Sequence, residues 1–119
     1  MEKAKRPKVL SGRTERVATG CGNMYVTTDT DGERLFEVFA VLGKAGGCAK
    51  CQCEAITRCI TVGLRYGVPV AEYIKQLSSL KCPSPGEVTG GEGDKVDRIW
   101  SCPDAIARVL GGATDVKSE

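Results

Sequence analysis

Apolar and polar residues alternate around Tyr25 and Thr27 in "NMYVTTDT", and "RLFEVFAVL" is dense in β-branched and aromatic residues. Both patterns predict strands. "DTDGE" lies between them and carries the glycine a hairpin turn needs, so the two strands run antiparallel. An earlier strand is predicted near residues 14–19. Gly20 and Gly22 flank Cys21. The backbone is therefore bent there, and the thiol can lean into a shared site.

The period then changes. From residue 47 to 66, Ala49, Cys53, Ile56, Ile60 and Leu64 form an apolar stripe at helical spacing with Ile56 at its centre. Gly67 suits a helix C-terminus, and Pro69 opens the next element. "AEYIKQLSSL" predicts a short second helix burying Tyr73 or Ile74, Leu77 and Leu80. "KCPSPGEVTGGEGDKVDRI" reads as a long loop, rich in Gly and Pro. In "SCPDAIARVL", Ser101 caps a final helix, Pro103 stands where no backbone N–H is needed, and Asp104 suits the dipole. Ala105, Ile106, Val109 and Leu110 give that helix, of about ten residues, its apolar face. The predicted fold class is α+β: a small antiparallel sheet in the N-terminal half, then about three helices packed on one face. The predicted organisation is a basic flexible arm over 1–16, a domain over 17–111 and a flexible tail over 112–119.

Composition narrows the chemistry. A chain of 119 residues with one Trp, three Tyr and two Phe builds a single modest core, for which an added staple is useful. No apolar run is long enough to cross a membrane, and the N-terminus has charge without the apolar stretch of a signal peptide. A cytoplasmic location with reduced thiols is the expectation. Histidine is absent, which removes Ser-His-Asp and Cys-His catalysis, His-ligated metals and histidine pH switches. Glu54 is expected to pair with Arg58 in solvent rather than to catalyse.

The formal charge of +2 hides an asymmetry. Residues 1–16 carry Lys3, Lys5, Arg6, Lys8, Arg13 and Arg16 against Glu2 and Glu15. This segment is a candidate contact for nucleic acid or an acidic partner, with Lys44 and Lys50 beside it, or simply a solvated arm. Phe36 or Phe39, if outward on the sheet, would support a homodimer.

Seven cysteines require sorting. On the long helix, Cys53 falls inside the apolar stripe and reads as a small buried hydrophobe, with Cys59 similar. Cys51 points to solvent and Cys48 lies on the flank. Cys21, Cys48, Cys82 and Cys102 each stand at a junction between elements, beside Gly or Pro. Four thiols are the number a closed tetrahedral zinc site requires. Cys48 and Cys102 open helices, where the dipole favours thiolate. The paired C-x-x-C signature occurs once, at Cys48 and Cys51, so spacing alone leaves scattered core cysteines open as the alternative.

"TGCGNMYVTTD", "EVFAVLGKAGGCAKCQCEAI", "GVPVAEYIKQLSSLKCPSP" and "WSCPDAIARVL" together resemble the TSCPD domain over roughly residues 18–111. That domain is found at the C-terminus of vitamin B12-dependent (class II) ribonucleotide reductases and as small free-standing proteins with four cysteines. The name motif stands here as Trp100-Ser101-Cys102-Pro103-Asp104, with Trp in place of Thr. The four family cysteines match Cys21, Cys48, Cys82 and Cys102, the same four selected by their setting. Cys51, Cys53 and Cys59 are additions.

The resemblance implies either a detached C-terminal module of a reductase or a free-standing relative, and the first expectation is a non-catalytic module that holds one structural zinc on the four thiols and acts with a reductase catalytic chain. It does not imply the reductase reaction, since 119 residues cannot house a catalytic barrel and a cobalamin pocket. A second expectation is a redox element that re-reduces a reductase through Cys48 and Cys51. A third is a sequence-blind nucleic-acid binder using the basic arm.

Overall fold

The computed structural model describes residues 2–43, 47–83, 86–88 and 97–117. Three strands, β1 (Ser11–Thr19), β2 (Gly22–Thr30) and β3 (Leu35–Leu42), form an antiparallel sheet in the order β1-β2-β3. The helices α1 (Gly47–Arg65), α2 (Val70–Leu77) and α3 (Cys102–Lys117) follow. A two-stranded hairpin, β4 (Gly86–Val88) with β5 (Asp97–Ile99), precedes α3. The α+β expectation is met, with the sheet in the N-terminal half and the helices after it.

The turns follow from side chains close in sequence. Asp31 Oδ1 accepts the backbone N–H groups of Glu33 and Arg34, each at 2.9 Å, and Gly32 adopts φ 99°. This is the "DTDGE" turn, with its glycine at positive φ as expected and an Asx bond holding it besides. Between β1 and β2, Thr19 Oγ1 accepts the Cys21 N–H at 3.1 Å and donates to the Gly22 carbonyl at 2.7 Å. Gly22, at φ 122°, turns the chain there.

Helix α1 ends in two bonds that cross its last turn. Val68 N–H reaches the Gly63 carbonyl and Gly67 N–H the Leu64 carbonyl, both at 3.0 Å, while Gly67 sits at φ 97°. This Schellman geometry satisfies carbonyls that the helix end leaves over. Pro69 then serves as the N-cap of α2.

The core lies between the inner sheet face and the helices. Met24, Val26, Val38, Ala40 and Leu42 project from the sheet onto Cys53, Ile60 and Leu64 of α1 and Ile106, Val109 and Leu110 of α3. Tyr73, Ile74 and Leu77 of α2 pack against this cluster half-buried, whereas Leu80 lies beyond α2 and is exposed. The Thr61 hydroxyl both donates to and accepts from the Val38 backbone at 3.0 Å, satisfying groups on β3 that have no strand beside them.

Several expectations change. β1 starts at Ser11, so the strand takes in residues assigned to the arm. The arm is also tied down, because Ala4 exchanges bonds with Arg65 and Arg6 grips Glu37 through two nitrogens at 3.0 and 3.1 Å. The predicted loop before α3 contains the β4–β5 hairpin. Helix α3 runs 16 residues to Lys117, where a shorter helix and a tail were expected. On α1, Ile56 is only half-buried while Thr57 is buried, which rotates the stripe, and Cys59 is exposed rather than buried. Phe36 is inward and stacked under Arg34 and Arg65, with the cations 5.8 and 5.7 Å from its ring centre; Phe39 is the outward one. Glu54 and Arg58 do pair, at 3.0 Å. Lys44 lies outside the described residues.

The outer face of the sheet carries a partly buried charge cluster. Asp29 and Glu37 are directly opposed on β2 and β3. Glu37, only 4% exposed, accepts the Arg6 fork. Burial first, then a hydrogen bond and the charge of Glu37, push the Asp29 carboxyl up to about 6, against the pull of Arg6. Glu37 is held below the usual carboxylate range, chiefly by its bond from Arg6. Below about pH 6 the Asp29 carboxyl therefore holds a proton that faces the Glu37 carboxylate.

The raised Asp29 group contributes stability that is complete below about 3.9, its unfolded value, and is lost as pH rises through about 6. The depressed Glu37 group contributes above its unfolded value of about 4.3 and loses that contribution as pH falls below it. Stability from this cluster should peak near pH 5 and decline towards pH 7. Asp29→Asn retains an N–H donor towards Glu37 without a charge, so its melting temperature should stay level across that interval. Melting curves at pH 5 and pH 7 for both proteins test this; an equal decline in both would refute it.

Candidate functional site

The motif at the start of α3 explains three of its residues structurally. Ser101 is buried, and its Oγ accepts the Asp104 N–H at 3.1 Å as the helix cap. Asp104, 2% exposed, accepts from Ser79 N–H at 2.8 Å, from Trp100 N–H at 3.0 Å and from Arg108 Nε at 3.2 Å. Ser79 has φ 65°, a conformation that costs a non-glycine residue energy. Asp104 thus fastens the chain leaving α2 to the start of α3. Trp100 is approached by Lys81 Nζ at 4.9 Å and by the Arg98 guanidinium at 5.8 Å from its ring centre.

Once Ser101 and Asp104 are in place, Cys102 becomes the first residue of α3, half-buried beside the β1–β2 turn. Its Sγ lies 3.9 Å from Thr19 Oγ1, the same hydroxyl oxygen that accepts the Cys21 N–H. The Cys102 thiol lies close enough to those of Cys21 and Cys53 to act on the ionisation of both. Cys82 is half-buried, with its N–H bonded to the Trp100 carbonyl at 3.0 Å, and its charge acts on Cys21. Three junction cysteines thus share one neighbourhood, although they come from residues 21, 82 and 102.

Cys48 is placed differently. It is exposed on the first turn of α1, as are Cys51 and, further along, Cys59. The α1 thiol nearest in environment to Cys102 is Cys53, 1% exposed and inside the core against which Cys102 packs. Its role as a neighbour of Cys102 was not apparent from the sequence. Its place on the apolar stripe was the available signal, but the stripe does not say which element covers it.

All seven cysteines are free thiols. Burial, then the neighbouring Cys102 and Cys82 thiols, push the Cys21 thiol up. Burial, then Cys102 and Cys21, push the Cys53 thiol up to about 12. The thiols therefore oppose one another's ionisation, and a cation among them would relieve that opposition. In donor chemistry the cluster suits a thiophilic metal. In geometry it is open: among the described residues, no group of three or more Cys, His, Asp or Glu side chains is arranged to hold an ion.

The basic candidates separate likewise. Lys3, Lys5 and Lys8 are exposed, Arg6 is committed to Glu37, and Arg13 pairs with Glu15 at 3.4 Å, while Arg16 is exposed on β1 opposite Tyr25. On the outer sheet face Tyr25 and Val41 are directly opposed, and Phe39 lies opposite Thr27. These three apolar side chains are 41–50% exposed. No helix among the described residues is long and apolar enough to cross a membrane.

Comparison with known proteins agrees with the motif. The chain is 30% identical over 110 residues to the vitamin B12-dependent ribonucleotide reductase of Agrobacterium fabrum, a match covering 92% of this chain and 8% of the relative. It is 28% identical over 110 residues to the protein of the same name from Bradyrhizobium diazoefficiens, covering 92% and 9%. With that of Streptantibioticus cattleyicolor it shares 28% identity over 81 residues, covering 67% and 14%. The chain thus spans no more than about a seventh of these relatives' length. No solved structure matches. The TSCPD domain model matches residues 2–113, nearly the whole chain, and with the SCPD residues acting as cap and fastener of α3, this chain belongs to the TSCPD domain family.

Proposed function

We propose that the chain is a non-catalytic accessory module that works with the catalytic chain of a ribonucleotide reductase in the cytoplasm, stapled by one structural zinc on Cys21, Cys48, Cys82 and Cys102. The observation that carries this reading is the gathering of Cys21, Cys82 and Cys102 at one junction, with each perturbed thiol disfavoured as an anion by burial and then by its neighbours. Zinc would supply the missing positive charge and hold the β1–β2 turn, the segment after α2 and the start of α3 together. Cys48 would complete the set from the first turn of α1, replacing a solvent-facing thiol by a ligand.

The docking role draws on two further observations. The relatives are ribonucleotide reductases in which the matched length is a small fraction of the chain. The outer sheet face presents Tyr25, Phe39 and Val41 without a covering element among the described residues, a patch of the kind that marks protein contacts. A nucleic-acid role through the arm has less support, since Arg6 and Arg13 are already paired with acidic side chains.

Elemental analysis of protein purified without chelator, paired with a thiol count, tests the zinc assignment. One zinc per chain, with four thiols masked until chelator is added, is expected. No metal and seven reactive thiols would overturn it.

A further inference from the structure

The two edges of the sheet, β1 and β3, are treated differently. On β3 the Thr61 hydroxyl bonds both backbone groups of Val38, so Val38 is turned away from β2 and α1 closes that edge. Backbone groups alternate in side along an antiparallel strand, and paired strands share the alternation. Thr28, opposite Val38, therefore turns to β1 and faces Arg13. Gly12, Thr14 and Arg16 then point their N–H and C=O groups away from β2. Gly43 N–H, bonded to the Asn23 carbonyl at 2.8 Å, gives the same phase from the other end of β2. Such a free row of donors and acceptors is a template for a further strand.

Among the described residues no strand pairs with β1 on that side, and Ser11, Gly12, Arg13, Thr14 and Arg16 are exposed. The arm leads from Ser11 towards β3, where Arg6 bonds Glu37 and Ala4 bonds Arg65, so it leaves the β1 edge bare. Strand β4 approaches β1 without pairing to it. Its partner β5 leads into Cys102, whose Sγ lies 3.9 Å from Thr19 Oγ1, which puts that approach at the Thr19 end. We propose that β1 pairs antiparallel with β1 of a second copy of this chain, about a two-fold axis at Thr14, joining two three-stranded sheets into one.

Charge selects both the occupant and the register. An axis at Thr14 sets Arg13 opposite Glu15 of the second copy, and Glu15 opposite its Arg13. The exposed Arg13–Glu15 pair of each chain, 3.4 Å apart, becomes half of an alternating square of charges. An axis at Arg13, Glu15 or Arg16 would put like charges directly opposite, which is destabilising. One at Gly12 would set Arg13 against Ser11 and Glu15 against Val9, with no charge matched. On the outer face the Thr14 axis lays Arg16 over Gly12 of the second copy. Gly12 is the β1 neighbour of Asp29, and a side chain there would collide with the Asp29 carboxyl. Arg16 has no acidic partner among the described residues. The bare glycine gives it a path to Asp29 of the second copy. Exposed ion pairs contribute little affinity, so backbone pairing holds the two copies together and charge sets their register.

Sedimentation equilibrium of the purified chain, from low to high micromolar concentration, should show a reversible monomer–dimer equilibrium. Arg13→Glu and Glu15→Arg each place like charges opposite and should weaken the dimer roughly ten-fold. The double variant restores opposite charges and should dimerise as the parent does. A mixture of the two single variants should form the heterodimer, seen by native mass spectrometry, because every charge then meets its opposite. Thr14→Pro removes an N–H that β2 does not use, so it should fold, by circular dichroism, and stay monomeric. A parent chain that is monomeric throughout would overturn the proposal. So would a dimer that ignores both Arg13→Glu and Thr14→Pro but disperses with Phe39→Ser, which would place the contact on the outer face. Neither that face nor a metal enters the β1 contact, so failure here leaves the docking and zinc readings standing.

Discussion

Asp104→Ala should lower the melting temperature by about 10–15 °C, more than any other single carboxylate substitution in this chain. Its carboxylate is buried and accepts three donors: the N–H groups of Ser79 and Trp100 and the Arg108 guanidinium. Removing it strands two backbone donors, each costing about 1–3 kcal/mol, while Arg108 keeps its bond to the Arg98 carbonyl. Ser79 also loses the contact that holds it at φ 65°, so the segment between α2 and Cys82 is freed. Asp104→Asn keeps an acceptor for one of the backbone groups and should recover roughly half of the loss. Thermal melts of the three proteins decide the matter. A shift under 3 °C for Asp104→Ala would show that solvent satisfies these donors.

Chelation should abolish the cooperative melt on the zinc reading. The aromatic-poor core of this 119-residue chain has Met, Val, Ile, Leu and Ala as its main contents, and structural zinc contributes about 10–16 kcal/mol of apparent folding free energy in small domains. The segments it would join are short connections rather than core. Differential scanning calorimetry with and without a strong chelator tests this. A melt preserved within a few degrees would remove zinc as the staple and leave Asp104 and the core as the main supports. Cys48→Ser tests the place of Cys48 in the ligand set. It should weaken metal retention if Cys48 closes the set, and leave it unchanged if the metal is held without it.

Much of the fold could be read from local sequence. The change from alternation in β2 to a helical stripe over Cys53, Ile60 and Leu64, the Asp31–Gly32 turn and the Gly67 helix end were all legible, because each depends on residues a few positions apart. The junction setting of Cys21, Cys82 and Cys102 was legible for the same reason. Less visible was the β4–β5 hairpin, whose strands of three residues each are too short to show alternation.

By itself, then, the sequence determined the types of the three long strands and the three helices, the Gly67 and Ser101 caps and the family, through spacing, turn chemistry and four motifs in order. Tertiary structure alone decided which side of each element was covered. Phe36 went inward and Phe39 outward because α1 packs on one face of β3. Asp29, Glu37 and Arg6 met because strand register and the path of the arm brought them together. Cys53 and Cys102 came into one neighbourhood because α1 and α3 bury their stripes in the same core. Such pairings join residues far apart in the chain, and local propensity carries no information about them.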